Sequence, residues 1–326
     1  MLQLLSISLL QPDTYINIGW GIIALLTVVI AFVVWRIRRH WLRLVFVLTL
    51  LFCWYVFLWG AYVGIGRLEV KHVDLTFSDL PEAFDGYKIV QFSDVHLSTY
   101  DGRRSDILRR AVDSILAQHA DAIVFTGDLQ NKEPSEIKRH EAQLSRIKAP
   151  DGVFSVLGNH DYTMYTNLTN PIDIGRNQGN TEGFQMDMGW TLLKNERRII
   201  RRDSARIVIA GMENDGEGRF PQLGNINSTL YGISRDDFVI MLEHDPTSWR
   251  RRILPHSHTQ LTLSGHTHGG QFNMLGLTPA MFLYREYQGI YHIGERTLYV
   301  SKGLGGIAPF RFGASPEIVV FTLHKR

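Results

Sequence analysis

Two long apolar runs near the amino terminus interrupt an otherwise mixed pattern of hydrophobic and polar positions. Residues 16–35 and 44–66 contain no charged side chain, and a helix of roughly 20 such residues crosses the hydrocarbon core of a bilayer. Tryptophan and tyrosine near the ends of the runs fit the aromatic belts of membrane interfaces. We therefore predict a membrane anchor over residues 1–69 with two transmembrane helices. The alternative is a pair of helices buried in a protein core.

The segment that joins the two runs is strongly basic. It carries Arg36, Arg38, Arg39 and Arg43, and cytoplasmic loops of membrane proteins are rich in Lys and Arg. The pattern predicts a multi-pass protein of the bacterial inner membrane with this segment in the cytoplasm. Everything after Arg67 would then face the outer, periplasmic or extracellular side.

The pattern changes from about residue 70, where short β-branched runs become frequent. Helical periodicity separates the early runs, at residues 105–119 and 136–147. Strand–helix alternation followed by strand-rich sequence predicts one layered α/β domain with mixed sheets over residues 70–326. The strand-like runs are YKIVQFS, ADAIVFTG, GVFSVLG, ARIVIAG, DFVIMLE, QLTLSG, TLYVSKG and EIVVFTL.

Composition narrows the possible chemistry. Cys53 is the single cysteine and lies within the second apolar run, which excludes a disulfide framework within the chain and a thiolate-rich metal site. The net charge of +2 gives no reason to expect nucleic-acid binding.

Polar side chains follow five of the predicted strands. Ligands of α/β sheets lie at the carboxyl ends of strands, so we expect these side chains to meet at one edge. Asp94 and His96 are two residues apart, as are His266 and His268, and each pair is predicted to converge on one metal ion. The candidate metal ligands are Asp94, His96, Asp128, Asn159, His244, His266 and His268.

This set of oxygen and imidazole groups suits Mn, Fe, Zn or similar ions. It exceeds the needs of one ion and fits two divalent ions that share a bridging carboxylate. The motifs DVH, GDLQ, GNHD, HDP and GHTHGGQ resemble the signature set of the calcineurin-like metallophosphoesterase superfamily, from about Tyr87 to the end of the chain. KNERRII and GLGGIAPFRFGASPEIVVFTL resemble its membrane-associated bacterial branch. The resemblance implies a four-layer αββα sandwich with a dimetal site at strand ends, here preceded by the two transmembrane helices.

The resemblance also implies roles for individual residues. Asp94, His96 and His268 would bind the first metal, Asn159, His244 and His266 the second, and Asp128 both. His160 would protonate or stabilise the leaving group, and we expect Asp161 to orient His160 through its other ring nitrogen.

The expected activity is hydrolysis of phosphomonoesters or phosphodiesters, with a metal-bridging water as the source of hydroxide. Lipid or envelope material is the candidate substrate. A cytoplasm-facing pyrophosphatase of a lipid-linked nucleotide and a non-enzymatic metal-binding scaffold are the alternatives, and the oligomeric state is open. Residues 162–183 form a candidate lid or substrate loop, and residues 303–313 a candidate border of the cleft. Two arginine clusters, 197–202 and 250–252, either face anionic lipid headgroups or a polyanionic substrate, or are ordinary solvated charge.

Overall fold

Two long helices precede a layered α/β domain in the computed structural model, which describes residues 10–326. Helix α1 spans Pro12–Arg36 and α2 spans His40–Tyr62, followed by a 3₁₀ turn at Gly64–Gly66. Both helices are long and apolar enough to cross a membrane. Residues 1–9 of the predicted anchor lie outside the described residues.

The apolar side chains of these helices point outward. Large side chains such as Ile22, Leu25 and Leu51 are exposed, whereas a helix of a protein core buries such residues. The two helices form a hairpin in which the Trp20 indole donates to the Tyr62 hydroxyl over 3.0 Å. The alternative of two buried core helices is therefore wrong.

The remaining chain forms two mixed six-stranded sheets, with strand orders β1-β12-β2-β3-β4-β5 and β10-β11-β9-β8-β7-β6. The strands are β1 Glu69–Phe77, β2 Tyr87–Phe92, β3 Ala122–Thr126, β4 Val153–Val156, β5 Thr191–Leu192, β6 Glu196–Arg202, β7 Ala205–Gly211, β8 Phe238–Leu242, β9 Leu261–Ser264, β10 Gly289–Ile293, β11 Arg296–Val300 and β12 Glu317–Lys325.

Helices cover the outer faces of both sheets. Successive residues of a strand point to opposite faces, so Val124 packs between the sheets while Phe125 packs under the helices. In the second sheet Ile209 packs between the sheets, whereas Val208 packs on the outer side, which Trp249 covers. The helices are α3 Ser105–Leu116, α4 Ser135–Leu144, α5 Pro171–Asp187, α6 Ile226–Thr229 and α7 Leu254–His256, which continues the π-helical turn Trp249–Ile253. The predicted four-layer αββα sandwich is confirmed.

The candidate lid over residues 162–183 is largely helical. Helix α5 begins at Pro171, whose fixed φ suits the first helical position, and the Asn170 side chain accepts a hydrogen bond from the Ile172 amide over 3.0 Å. The prediction of a loop gave too much weight to the glycines and asparagines of this segment and too little to its start signals.

The anchor is docked onto the domain at the end of α2. The Arg311 amide donates to the Gly60 carbonyl over 2.9 Å, and the Phe310 ring lies where a side chain at Gly60 would stand. A Cβ atom at Gly64 would overlap the carbonyl oxygen of Arg311. The two backbones approach this closely only because glycine has no side chain.

Gly64→Ala should therefore destabilise the protein, whereas Gly21→Ala should not. Overpacking of a tight contact costs about 1–3 kcal/mol, while the space around Gly21 is open to 4 Å. Thermal unfolding of the full chain in detergent measures the difference. Equal melting temperatures for the two variants would contradict the docking contact.

Candidate metal centre

The predicted ligands lie at one edge of the sandwich. Strands β2, β3 and β4 run parallel in the first sheet, as do β8 and β9 in the second. Their carboxyl ends carry the five motifs. The structure brings all seven side chains together there, and each is buried.

One group consists of Asp94, His96 and His268, whose candidate ligand atoms all lie within 4.8 Å of one another. His268 Nε2 is 3.7 Å from Asp94 Oδ1. These three residues are the set that the family resemblance assigns to the first metal.

A second group consists of Asp128, His244 and His266, again with ligand atoms within 4.8 Å. The Asn159 Oδ1 atom joins it, 2.8 Å from His266 Nδ1 and 3.2 Å from His244 Nε2. His266 Nδ1 and His244 Nε2 are themselves 3.2 Å apart. Two imidazoles and an amide oxygen thus point at a common place.

Asp128 stands between the groups. Its Oδ2 atom is 3.2 Å from His244 Nε2 and 3.6 Å from His96 Nε2, which suits a carboxylate shared by two ions. His266 and His268 belong to different groups, so the expectation that this pair converges on one ion is wrong. That expectation assumed an extended backbone beyond the strand end.

The backbone is instead left-handed at five of the seven positions. The φ angles are 50° at Asp94, 48° at His96, 61° at Asp128, 73° at His266 and 53° at His268. Positive φ is uncommon outside glycine and costs conformational energy, and such strain clusters at functional sites. The ends of β2, β3 and β9 therefore turn sharply instead of continuing the pleat.

Glycines allow the neighbouring strand ends to pack at this edge. A Cβ atom at Gly158 would overlap the Asp128 carboxylate, and one at Gly265 would overlap Ser93 and Asp94. A Cβ atom at Gly127 would stand 2.7 Å from His244 Nδ1. The glycines of the motifs thus make room for the ligand side chains.

The donor set fits divalent cations. Both ring nitrogens of His96 and the Nδ1 atom of His268 are buried without a hydrogen-bond partner. Buried polar atoms in native proteins are almost always paired, and a cation supplies the missing partner for nitrogen lone pairs. Imidazole, carboxylate and amide groups without thiolate are compatible with Mn, Fe or Zn.

Burial and mutual charge shift the protonation of these groups. Burial raises the pKa of Asp94 to about 7 and lowers the pKa of His96 to about 3. At His244, burial favours the neutral ring, but the Asp128 carboxylate outweighs it and raises the pKa to about 10. Because ligands bind metals in deprotonated form, cation binding displaces such protons.

His160 lies beside the cluster and is held on three sides. Its Nδ1 atom is 2.8 Å from the Asn131 carbonyl oxygen. The ring stacks on Tyr165 with centroids 4.1 Å apart and meets His96 edge-on at 4.5 Å. Burial lowers the pKa of His160, and the charge of Asp128 opposes this shift.

Asp161 does not orient His160 as expected. Its carboxylate accepts the backbone amides of Gly158, Asp128, Leu129 and Gln130 at 2.9–3.3 Å. The Asn131 carbonyl is hydrogen-bonded to the ring nitrogen of His160 that Asp161 was expected to contact. The role of Asp161 is to tie the loop after β4 to the loop after β3.

Several side chains near the cluster were not predicted from the sequence to belong to the site. The Tyr284 hydroxyl is 3.0 Å from His266 Nε2, and Asp245 Oδ2 is 3.5 Å from the same atom. Asp245 belongs to the HDP motif, so the motif provided a reason to consider it. Tyr284 comes 18 residues after His266, in a segment without a recognisable motif.

The segment 303–313 borders the cluster, as expected. A Cβ atom at Gly303 would stand 2.5 Å from the Asp94 Cβ atom. The buried Arg311 side chain donates to the carbonyls of His268 and Ala314 at 3.2 and 3.1 Å. Burial lowers the pKa of Arg311 to about 10.

Members of both arginine clusters are paired with carboxylates. Arg202 contacts Asp121 at 2.6 Å, Arg250 contacts Glu286 at 2.7 Å and Arg252 contacts Asp215 at 3.2 Å. These contacts favour the interpretation of ordinary surface charge.

A family model described as calcineurin-like phosphoesterase matches residues 87–270. The chain belongs to this family. It is therefore a phosphoester hydrolase of a dimetal-dependent class, as the motifs predicted.

Relatives of this calcineurin-like phosphoesterase include membrane proteins. An uncharacterised metallophosphoesterase of Bacillus subtilis is 32% identical over 82% of this chain and 89% of its own length. A Campylobacter jejuni metallophosphoesterase, also uncharacterised, is 31% identical over 87% of this chain and 71% of its own. A zebrafish (Danio rerio) transmembrane protein with a metallophosphoesterase domain is 30% identical over 79% of this chain and 57% of its own. Together with the two apolar helices, the similarity to this transmembrane protein indicates membrane association.

Asp128→Ala should reduce the metal content of the purified chain from about two divalent ions to fewer than one, because both groups share this carboxylate. His292→Ala is the matched control, since His292 contacts Thr297 on a neighbouring strand. Elemental analysis of both variants measures the content. Retention of two ions by Asp128→Ala would rule out the shared position.

Proposed function

We propose that the chain is a membrane-anchored phosphoesterase with two metal ions. Asp94, His96 and His268 would hold the first ion and Asn159, His244 and His266 the second, with Asp128 available to both. The observation that carries this proposal is the convergence of buried ligand atoms into adjoining groups, in which nitrogens of His96 and His268 have no hydrogen-bond partner among the described residues. A packed protein core leaves no such group of lone pairs facing one another.

Divalent ions at this position would neutralise charge on a phosphate ester and lower the pKa of a water molecule. The protein itself supplies the proton for the leaving oxygen. The Nδ1–H of His160 donates to the Asn131 carbonyl, so Nε2 has a proton for the leaving oxygen only when the ring is doubly protonated, a form that burial disfavours and the charge of Asp128 favours. Tyr165 and His96 hold the ring plane, which fixes the direction of Nε2.

Aromatic side chains shape the approach to the centre. The Phe220 ring meets His266 edge-on with centroids 4.7 Å apart, and Tyr284 does so at 5.4 Å. Burial raises the pKa of Tyr284 to about 12, with Asp245 adding to the shift. Its hydroxyl therefore stays protonated and neutral at physiological pH. These two aromatic rings beside the centre suit an ester with an apolar part, in agreement with a lipid or envelope substrate.

The orientation that we propose places the catalytic domain outside a bacterial inner membrane. The arginines that favour the cytoplasm lie in the last turn of α1, in the link and in the first turn of α2, at the end of the hairpin away from the domain. The opposite end touches the domain, since Asp13 pairs with Arg104 at 2.8 Å and Gly60 accepts from Arg311. A helix of 25 residues is about 37 Å long at 1.5 Å per residue, which is enough to separate the two sides.

His160→Ala should retain about two metal ions and lose turnover of p-nitrophenyl phosphate or its diester by about 10²–10⁴-fold, the usual contribution of general acid–base catalysis. His72→Ala, at an exposed position of β1, is the control and should keep both. Metal analysis and a steady-state assay on the same samples provide the measurement. Simultaneous loss of the ions would show that His160 holds the site together, against its proposed role.

A β-lactamase fused after Arg326 should protect cells from ampicillin, and one fused after Arg39 should not, because only the first lies outside the membrane. The opposite pair of results would place the domain in the cytoplasm. That outcome would favour a pyrophosphatase of a lipid-linked nucleotide over an enzyme of the outer face.

A further inference from the structure

A second apolar surface lies beside the metal centre. Residues 272–283, here called the apolar loop, follow the last metal-binding motif and contain no charged residue. Leu275 is 98% exposed and Phe282 is 81% exposed, and Leu277 and Leu283 are exposed as well. Soluble proteins rarely display so many large apolar side chains on one short segment, and such patches mark membrane or protein contacts.

The tip of the apolar loop is built to present a leucine. Met274 and Leu277 exchange two backbone hydrogen bonds of 2.9 and 3.0 Å, which leaves Leu275 and Gly276 as the two turn residues. Their φ angles are 54° and 86°, a geometry for which Asn-Gly or Asp-Gly is preferred in water. A leucine in this strained and exposed place is accounted for when the tip is surrounded by hydrocarbon.

The base of the apolar loop rests on the metal centre. Its first residue comes four positions after His268, and Thr278 Oγ1 donates to the Gly269 carbonyl over 2.7 Å. Tyr284, directly after the loop, contacts His266 at 3.0 Å. Both ends of the loop are thus fixed to residues of the metal-binding motifs.

The apolar loop also continues the surface of the anchor. Phe272 stacks on Phe312 with centroids 5.6 Å apart, and Phe312 meets Tyr55 of α2 edge-on at 6.1 Å. A cavity of about 370 Å³ lies between the helices and the loop, a volume typical of ligand sites. Its lining is apolar and includes Ile22, Cys53, Val56, Phe57, Phe272 and Met274.

We infer that the apolar loop inserts into the bilayer beside α1 and α2, that the cavity takes an acyl chain, and that the substrate is a membrane lipid carrying a phosphate ester. The occupant is lipid because two walls of the cavity belong to the apolar helices, whose surroundings are hydrocarbon. A loop anchored on the metal motifs and inserted at its tip holds the centre at the level of lipid headgroups. The substrate part of this inference rests on the proposed function.

Insertion is tested first, by a measurement that needs no activity. In full-length Cys53→Ala protein, Leu275→Cys labelled with an NBD fluorophore should be quenched by 5-doxyl lipid in nanodiscs of phosphatidylethanolamine and phosphatidylglycerol. Tyr231→Cys, at a position 76% exposed on the domain, should not be quenched. Equal behaviour of the two labels overturns the inference. Shielding of Leu275 that depends on protein concentration but not on doxyl lipid also overturns it, in favour of a second copy as the occupant.

Substrate choice is tested next, by the ratio of two activities. Leu275→Asp with Phe282→Asp should lower turnover of dioleoyl phosphatidate or phosphatidylglycerol in vesicles at least tenfold relative to p-nitrophenyl phosphate or its diester. Tyr231→Asp should leave that ratio unchanged. An unchanged ratio in the loop variant overturns the inference while the proposed function stands. If the wild-type chain cleaves no aryl ester, the proposed function fails instead, and the quenching result still decides insertion.

A separate measurement tests whether the cavity binds an acyl chain. Val56→Phe reduces the space for a chain, so it should raise KM for the dioleoyl lipid at least fivefold more than for its water-soluble dihexanoyl analogue. Equal effects on both lipids would overturn the assignment of the cavity to an acyl chain.

Discussion

The structure depends on one electrostatic constraint at the shared edge of the two sheets. Two aspartates and four histidines are buried there with their ligand atoms facing one another. Burial of unpaired polar and charged groups is costly, and imidazole nitrogens of His96 and His268 have no hydrogen-bond partner within residues 10–326. Two divalent cations would remove that cost, since the ligands would then bind metal instead of competing for protons. Strand order, strained backbone and close glycine packing all serve to bring these groups together.

The position of a strand within its sheet explains which strands the sequence predicted. The eight predicted strands are the central strands of the two sheets. They are buried on both faces and appear as continuous apolar runs. The four strands that were not predicted, β1, β5, β6 and β10, are the edges of the sheets. Edge strands carry polar residues such as Lys71 and Arg198 and have one unpaired side, so their pattern is weaker. The positions of these edge strands are fixed by pairing with strands elsewhere in the sequence, which a local pattern does not show.

The residue types of the candidate site were predictable because the motifs list them in order, but their geometry was not. The spacing of two residues predicts that His266 and His268 share a metal, as Asp94 and His96 do, whereas the structure places the two histidines in different groups although all four residues have left-handed φ angles. Similarly, Asp161 was expected to contact the ring of His160. Its carboxylate instead accepts hydrogen bonds from four backbone amides, and the Asn131 carbonyl accepts the hydrogen bond of the ring. Tyr284 reaches His266 from a loop without any motif. These contacts depend on tertiary packing, for which short-range sequence patterns carry no signal.

Anchor, apolar loop and metal centre form one connected unit, joined by Arg311 between Gly60 and His268. Two ions bound in this unit should produce the phosphoesterase activity. A titration of Mn²⁺ into the metal-free full-length chain, in which bound metal and aryl-phosphate turnover are followed together, measures this dependence. We expect turnover to rise to its maximum as the second equivalent binds. Full turnover with one ion or none, or no turnover on any aryl ester with two ions bound, would contradict it.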